Sequence, residues 1–204
     1  ALTGTLRGGV DLADRTIDAL VPGEVGAWGS SRPVAPSEGR GGLAVDGDPT
    51  TAWVGAGRDG ERLTVRFPTR DVATVTVRTA AGGGDVPLDR VLIDTGNVSI
   101  PVDLAPEPGC DTPSCDRIGS VEVAAGEQAE LTVTAEVADG AGGGSRRVRI
   151  LEVEVDGADG PLPTTSTTAD PGCGSGVISI DDEPVRMRLV DDDVAALDRP
   201  AVAV

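Results

Sequence analysis

The chain has 204 residues, 34 acidic against 17 basic, and a formal net charge of -17. A field this negative repels nucleic-acid phosphates and anionic lipid surfaces, so neither is expected as a partner. All basic residues are arginines; the absence of lysine and histidine removes the usual general bases and Schiff-base nucleophiles. With two Trp, one Phe and no Tyr, the core must consist mainly of Val, Leu, Ile and Ala.

The first 23 residues are interpreted as a lead-in segment. Within them, DLADRTIDALV (11–21) has apolar residues near helical spacing, which fits either a short helix or an extended lead-in. Residues 24–157 form the main predicted domain.

Apolar and polar residues alternate along most of this domain, which is typical of half-buried β-strands. Glycine-rich and aspartate-rich turns separate the alternating segments, and no helical pattern intervenes. The sequence therefore predicts an all-β fold, an antiparallel β-sandwich or jelly roll. The predicted strands are RLTVRF (62–67), VATVTVRT (72–79), RVLID (90–94), NVSIPVDL (97–104), IGSVEV (118–123), ELTVTAEV (130–137) and RRVRILEVEV (146–155).

After the sandwich, residues 158–172 are small, polar and proline-containing, and they are interpreted as a linker. Residues 173–204 include GVISIDDEPVRMRLV, which predicts a C-terminal β-hairpin extension from an adjoining or truncated β domain. The chain contains neither a membrane-spanning apolar stretch nor a signal peptide. We expect it to be part of a larger protein, with no membrane insertion of its own.

The stretch AVDGDPTTAW (44–53) places hard oxygen ligands in one short loop. If the loop curls, Asp46, Asp48 and Thr51 can point oxygens at one centre, and Glu152 is a candidate for a further carboxylate. Calcium prefers such a mixture of carboxylate, hydroxyl and carbonyl oxygens. An ordinary aspartate-capped turn explains the same residues, so both interpretations remain open.

Trp53 follows this loop directly. It is interpreted as a core residue that fixes the loop to the sandwich, with a sugar-stacking platform as the alternative.

Two of the three cysteines, Cys110 and Cys115, flank a short loop rich in turn-forming residues. A local disulfide is predicted there, with a pair of free thiols as the alternative. A disulfide indicates an oxidising, extracytoplasmic compartment. With that bridge Cys173 is the odd cysteine, either free or paired with a cysteine outside this chain.

AVDGDPTTAW, ERLTVRFPTRDVATVTVRT and RVRILEVEV resemble the discoidin, or coagulation factor 5/8 type C, domains. The resemblance covers about residues 24–157 and implies a galactose-binding-like β-sandwich. In carbohydrate-binding members of that family a structural calcium often lies at this loop, and the matching positions are Asp46, Asp48, Thr51 and Glu152.

The tail DPGCGSGVISIDDEPVRMRLV, following such a domain, is similar to the extracytoplasmic region of actinobacterial arabinofuranosyltransferases. This second resemblance implies a location in the cell envelope within a membrane-anchored glycosyltransferase. It also implies that a later cysteine, beyond this chain, pairs with Cys173.

We therefore expect a non-catalytic module that binds or positions envelope arabinan or galactan, and contacts other domains of the parent enzyme. The candidate glycan contacts are Trp28, Arg32, Arg40 and Arg58. A scaffold or protein-interaction domain without glycan binding is the alternative, favoured by the scarcity of aromatic residues. A stand-alone hydrolase is disfavoured, because the acidic runs lie in turns where like charges are normally solvated.

Overall fold

The computed structural model describes residues 25–31, 39–82, 84–124, 126–137, 147–157, 160–161, 176–180 and 183–187. Twelve strands and one short 3-10 helix, Gly41–Ala44, occur in them. The strands are β1 (Gly26–Gly29), β2 (Trp53–Gly55), β3 (Arg62–Thr79), β4 (Arg90–Asp94), β5 (Ser99–Asp103), β6 (Ala105–Pro106), β7 (Arg117–Glu122), β8 (Glu127–Glu136), β9 (Val148–Gly157), β10 (Gly160–Pro161), β11 (Gly176–Ile180) and β12 (Glu183–Met187). This composition confirms the predicted all-β class.

Two antiparallel sheets share the long strand β3. Its first half pairs with β1 on one side and β8 on the other, and the sheet continues through β4 to β5. Its second half pairs with β7 on one side and β9 on the other. In turn, β7 pairs with β6, and β9 pairs with β2 and β10. We call these the first and second sheets.

The sequence predicted two strands where the structure has one. PTRD was interpreted as a turn between 62–67 and 72–79, whereas β3 continues through it for 18 residues. The pairing with β8 shifts register between Arg66 and Arg70, and Pro68 lies in this irregularity. A proline is tolerated there because no ladder hydrogen bond needs its missing N–H.

The core lies between the sheets and is aliphatic, as the composition required. The residues of β3 alternate between core and surface; Leu63, Val65, Val75 and Val77 have no exposed surface. Phe67 and Trp53 are the aromatic residues in the core. Val, Leu and Ile suit this position because branched side chains pack well on a pleated surface.

β11 and β12 pair with each other as an antiparallel hairpin, in the region where the sequence predicted one. The segment 11–21, predicted as a short helix or an extended lead-in, and Cys173 lie outside the described residues. So does the predicted linker, residues 158–172, except for Gly160–Pro161, which form β10 and pair with β9. The division into four segments remains a prediction.

Candidate functional site

The loop from Asp46 to Thr51 leaves the 3-10 helix and leads into β2. The Asp46 Oδ1 accepts the Asp48 N–H at 3.0 Å, and the Asp48 Oδ1 accepts the Thr50 N–H at 2.9 Å. Between them Gly47 has a φ of 78°, a conformation that favours glycine. Two consecutive aspartate turns thus curl the chain, as the sequence pattern indicated.

The curl gathers oxygen atoms around the Thr51 hydroxyl. Its Oγ1 lies 3.0 Å from the Leu43 carbonyl, 3.0 Å from each Asp46 carboxylate oxygen and 2.9 Å from the Asp48 carbonyl. A hydroxyl has one hydrogen and donates one hydrogen bond. Four acceptors therefore compete for a single proton, so the cluster has an excess of electron pairs.

Glu152 adds a second carboxylate from the neighbouring strand β9. Only 6% of its surface is exposed, and its Oε2 accepts no hydrogen bond among the described residues. Burial, reinforced by the charges of Asp46 and Glu154, raises its pKa to about 7 despite the Gly47 N–H and Arg78. Burial likewise raises the pKa of Asp46.

This donor set fits a hard divalent cation. Calcium takes six to eight oxygens from carboxylates, carbonyls and hydroxyls, and an unpartnered buried carboxylate oxygen is a ligand of this kind. In the described residues no group of three or more acidic, cysteine or histidine side chains forms a metal site by itself. Any site here must therefore include the carbonyl oxygens as well as the carboxylates.

The structure brings together three of the four predicted ligands: Asp46, Thr51 and Glu152. Asp48 differs in detail, because its carboxylate is exposed and bonded to the Thr50 N–H and hydroxyl. Its carbonyl oxygen faces Thr51 instead. Sequence reasoning missed the Leu43 carbonyl, and no side-chain pattern could have indicated it.

Trp53 lies directly beyond this loop and is completely buried. A Cβ atom on Gly29 would lie 2.0 Å from its Nε1, so the indole packs against the bare backbone of β1. Its indole N–H has no hydrogen-bond partner in the described chain. The core interpretation of Trp53 fits this position, and the sugar-stacking alternative does not.

The predicted glycan contacts are spread over different parts of the sandwich. Trp28 is half-buried on the outward face of the first sheet, where the Arg66 guanidinium carbon lies 5.1 Å from its ring centroid. Arg58 is exposed in the turn after β2. Arg40 is only 4% exposed, and its charge opposes the burial that raises the pKa of Asp46. Arg40 thus offers little surface to a ligand. Arg32 lies outside the described residues.

Cys110 and Cys115 form a disulfide with an S–S distance of 2.00 Å, as the sequence predicted. It closes the connection between β6 and β7. The Glu107 carboxylate, just before this loop, pairs with Arg78 on the second sheet.

Acidic residues also line two open clefts. One, of about 250 Å³, includes Asp89, Arg90 and Asp103. Its aspartates are in ion pairs: Asp103 with Arg90 at 2.7 Å, and Asp89 with Arg117 at 2.5 Å. The other, of about 470 Å³, lies beside Asp71, Glu122 and Gly157 at the end of the second sheet.

Within the described residues, no helix has the length and hydrophobicity to cross a bilayer.

No protein-family model matches the chain, and no curated protein matches it. Solved structures of carbohydrate-binding modules do resemble it. The family 32 module of NanJ from Clostridium perfringens, solved with galactose, is 20% identical, with 65% of this chain and 93% of that chain covered and a TM-score of 0.45. Chitosan-binding module 1 of a Paenibacillus sp. IK-5 chitosanase/glucanase is 22% identical, with coverages of 66% and 96% and a TM-score of 0.46.

A mycobacterial enzyme, arabinofuranosyltransferase AftD, also matches. It is 20% identical over 69% of this chain, with a TM-score of 0.53. The matched part is 11% of the AftD chain, so this chain spans about a tenth of that enzyme. At such identities the likeness concerns the fold alone, and the antiparallel β-sandwich predicted from the sequence is confirmed.

Proposed function

We propose that this chain is a non-catalytic carbohydrate-binding module of a larger cell-wall arabinofuranosyltransferase. The observation that carries the proposal is the fold shared with a domain-sized part of AftD at a TM-score of 0.53. The module binds or positions envelope arabinan or galactan for the catalytic part of the parent enzyme. It lies outside the cytoplasmic membrane, which the Cys110–Cys115 disulfide supports.

A non-catalytic role is supported by the chemistry of the side chains. The chain has no histidine or lysine. The aspartates of the cleft beside β4 and β5 are held in ion pairs with arginines. The parent enzyme supplies the catalytic groups and the membrane anchor.

Calcium has a structural role in the proposal. The ligands are the carboxylates of Asp46 and Glu152, the Thr51 hydroxyl and the carbonyls of Leu43 and Asp48. Bound there, the ion ties the loop to β9 and so holds the chain that leads into Trp53. The excess of acceptors around Thr51 and the unpartnered Glu152 oxygen support this assignment.

A melting experiment tests the calcium site. Chelation is expected to lower the melting temperature, because a ligand at 100 times its Kd stabilises by about 2.7 kcal/mol. Asp46→Ala removes that response. Asp156→Asn, an exposed substitution on the same strand as Glu152, retains it. Identical melts of the unsubstituted protein with and without chelator would contradict the assignment.

Titration with arabinan and galactan oligosaccharides in the presence of calcium, followed by NMR and calorimetry, tests the glycan-binding function. Saturable binding supports it. No binding up to millimolar ligand contradicts it and favours a scaffold domain that packs against other parts of the parent enzyme. The scarcity of exposed aromatic residues is the observation that favours this second function.

A further inference from the structure

The outward face of the first sheet carries a row of side chains that crosses four strands. Trp28 on β1 pairs with Thr64 on β3, Thr64 with Thr132 on β8, and Thr132 with Asp94 on β4. Residues in cross-strand register project from the same face. At about 4.8 Å between strands, the row is about 14 Å long, which suits a short oligosaccharide.

Trp28 is the aromatic end of this row. The inward residues beside it, Ala27 and Leu63, have no exposed surface, which places the partly exposed indole on the opposite, solvent side. The only other tryptophan, Trp53, is wholly in the core. An aromatic ring kept on a sheet surface leaves apolar area in water, a cost that a ligand covering the ring would remove.

Charged groups stand beside the ring. The Arg66 guanidinium packs on the indole and also donates from Nε and Nη2 to Glu130 Oε2, at 3.3 and 3.1 Å. The Arg66 and Glu130 side chains remain 66% and 46% exposed, so this pair is accessible to a ligand. The paired charges largely cancel, so the surface beside Trp28 presents donors and acceptors without a dominant charge.

Hydroxyl groups occupy the middle of the row. Thr64 and Thr132 are 3.2 Å apart through their Oγ1 atoms and are partly buried on the outward face. A hydroxyl has one donor and two acceptor sites, so this pair retains acceptor capacity for a ligand hydroxyl. The Asp94 carboxylate, which accepts from Gly96 and Ser99, ends the row with further acceptor capacity.

We propose that this row is the glycan-binding site, with a neutral oligosaccharide lying across the strands and one sugar against Trp28. The ring contacts the apolar C–H groups of that sugar, while Arg66 donates hydrogen bonds to its hydroxyls and Glu130 accepts them. Thr132 and Asp94 accept hydrogen bonds from the sugars further along the row. A neutral ligand fits, because the net charge of -17 repels polyanions. The site rests on the proposed glycan-binding function and locates it on the sheet rather than at the loops.

NMR with ¹⁵N-labelled protein tests the site directly, because two tryptophans give two indole N–H signals. Arabinan and galactan oligosaccharides are expected to shift the Trp28 signal and leave that of Trp53 unchanged. Trp28→Phe assigns the signals, and an unchanged melting temperature shows that the variant folds. Trp28→Ala is expected to weaken the affinity at least tenfold.

A matched pair of threonine variants separates this face from the rest of the surface. Thr132→Val is expected to weaken glycan affinity several-fold. Thr76→Val is the control, because Thr76 is also bonded to a hydroxyl, Ser120, but lies on the second sheet. The control is expected to bind like the unsubstituted protein.

Three results would overturn the proposal. Glycan binding that survives Trp28→Ala and Thr132→Val, without a shift of the Trp28 indole, refutes this site but leaves the glycan-binding function intact. No saturable binding by the unsubstituted protein refutes both. If an oligoarginine peptide rather than either glycan shifts the Trp28 signal, the row is a protein-docking surface instead.

Discussion

The carboxylate of Glu152 is almost entirely excluded from water and lies close to a second carboxylate, that of Asp46. Burial and the Asp46 charge raise its pKa to about 7, above its ordinary 4.5. An ionised acid in this position is costly until a cation neutralises it. The protonation of Glu152 is therefore expected to depend on whether the loop holds an ion.

The first prediction concerns pH in protein freed of divalent cations. Between pH 4.5 and about 7 the unfolded chain loses the Glu152 proton while the native state keeps it. Native protein then binds more protons, so stability falls as pH rises through this window, by up to about 3 kcal/mol. Denaturant unfolding in chelator at several pH values measures this slope.

Glu152→Gln is expected to flatten most of that slope, and Asp156→Asn, on the exposed side of β9, to leave it unchanged. Calcium is expected to reverse the trend, because it binds the ionised carboxylates. A chelated protein whose stability rises between pH 5 and 7 would contradict the prediction.

The second prediction concerns Gly29, which lies against the Trp53 indole. A Cβ atom here would approach Nε1 to 2.0 Å, whereas one at Gly26 on the same strand would meet nothing within 4 Å. Gly29→Ala is expected to destabilise the fold by about 2–3 kcal/mol through overpacking. Gly26→Ala is the control, with an effect within about 0.5 kcal/mol. Equal urea midpoints for the two variants would show that the indole moves aside without cost.

At the scale of elements, β3 organises the molecule because it belongs to both sheets. Its outward residues differ between halves: Thr64 and Arg66 beside Trp28, Thr76 and Arg78 in the second sheet. The Arg78 guanidinium pairs with the Glu107 carboxylate, and its Nε lies 3.5 Å from the Glu154 Oε1. The pairing of Arg78 with Glu107 also connects the second sheet to the disulfide loop.

The third prediction is the contribution of that disulfide. A closed loop of this length, with the cysteines five positions apart, restricts the unfolded chain by about 2 kcal/mol. With Cys173 replaced by Ala throughout, the Cys110→Ala/Cys115→Ala variant is expected to lose about this much in urea unfolding. Intact mass verifies the bridge, because the oxidised chain is lighter by two hydrogens. Two free thiols in the non-reduced protein would refute it.

At the scale of the whole molecule, charge repulsion opposes folding. The chain carries -17, and surface pairs such as Arg66–Glu130 and Arg90–Asp103 are exposed and individually weak. Repulsion within so acidic a chain is screened by salt over about 10 Å at 0.1 M.

The fourth prediction is therefore that sodium chloride raises the melting temperature between roughly 10 and 150 mM ionic strength. Calcium at matched ionic strength is expected to raise it further, which separates specific binding from screening. A melting temperature that falls with sodium chloride would show that attractive pairs dominate the surface.

The sequence predicted most of the fold, because strand periodicity is a local property. The segment RVLID (90–94) was placed at its observed limits, and the last long strand to within two residues at each end. The break predicted at Pro68 was wrong, because a proline stops a ladder hydrogen bond without stopping the strand. The continuation of β3 through Pro68 depended on its pairing in both of the sheets that it joins.

The candidate cation loop could also be predicted in part from the sequence, because Asp46, Asp48 and Thr51 are close in sequence and their turn chemistry is local. The carbonyl of Leu43 and the exposed position of the Asp48 carboxylate depended on how the backbone curled. Glu152 could be proposed from the sequence, but its burial could be learned only from the structure.

The sequence by itself therefore determined the all-β class, the aliphatic core, the acidic surface and the disulfide loop, since composition and spacing of near neighbours specify them. The sequence also indicated Trp53 as the core tryptophan, and only the tertiary structure showed that Trp28 lies on the surface of the first sheet. It also placed Trp28 in register with Thr64, Thr132 and Asp94, residues up to 104 positions apart. The physical reason is that cross-strand register is set by packing of the whole sandwich, and no local pattern encodes which outward residues become neighbours.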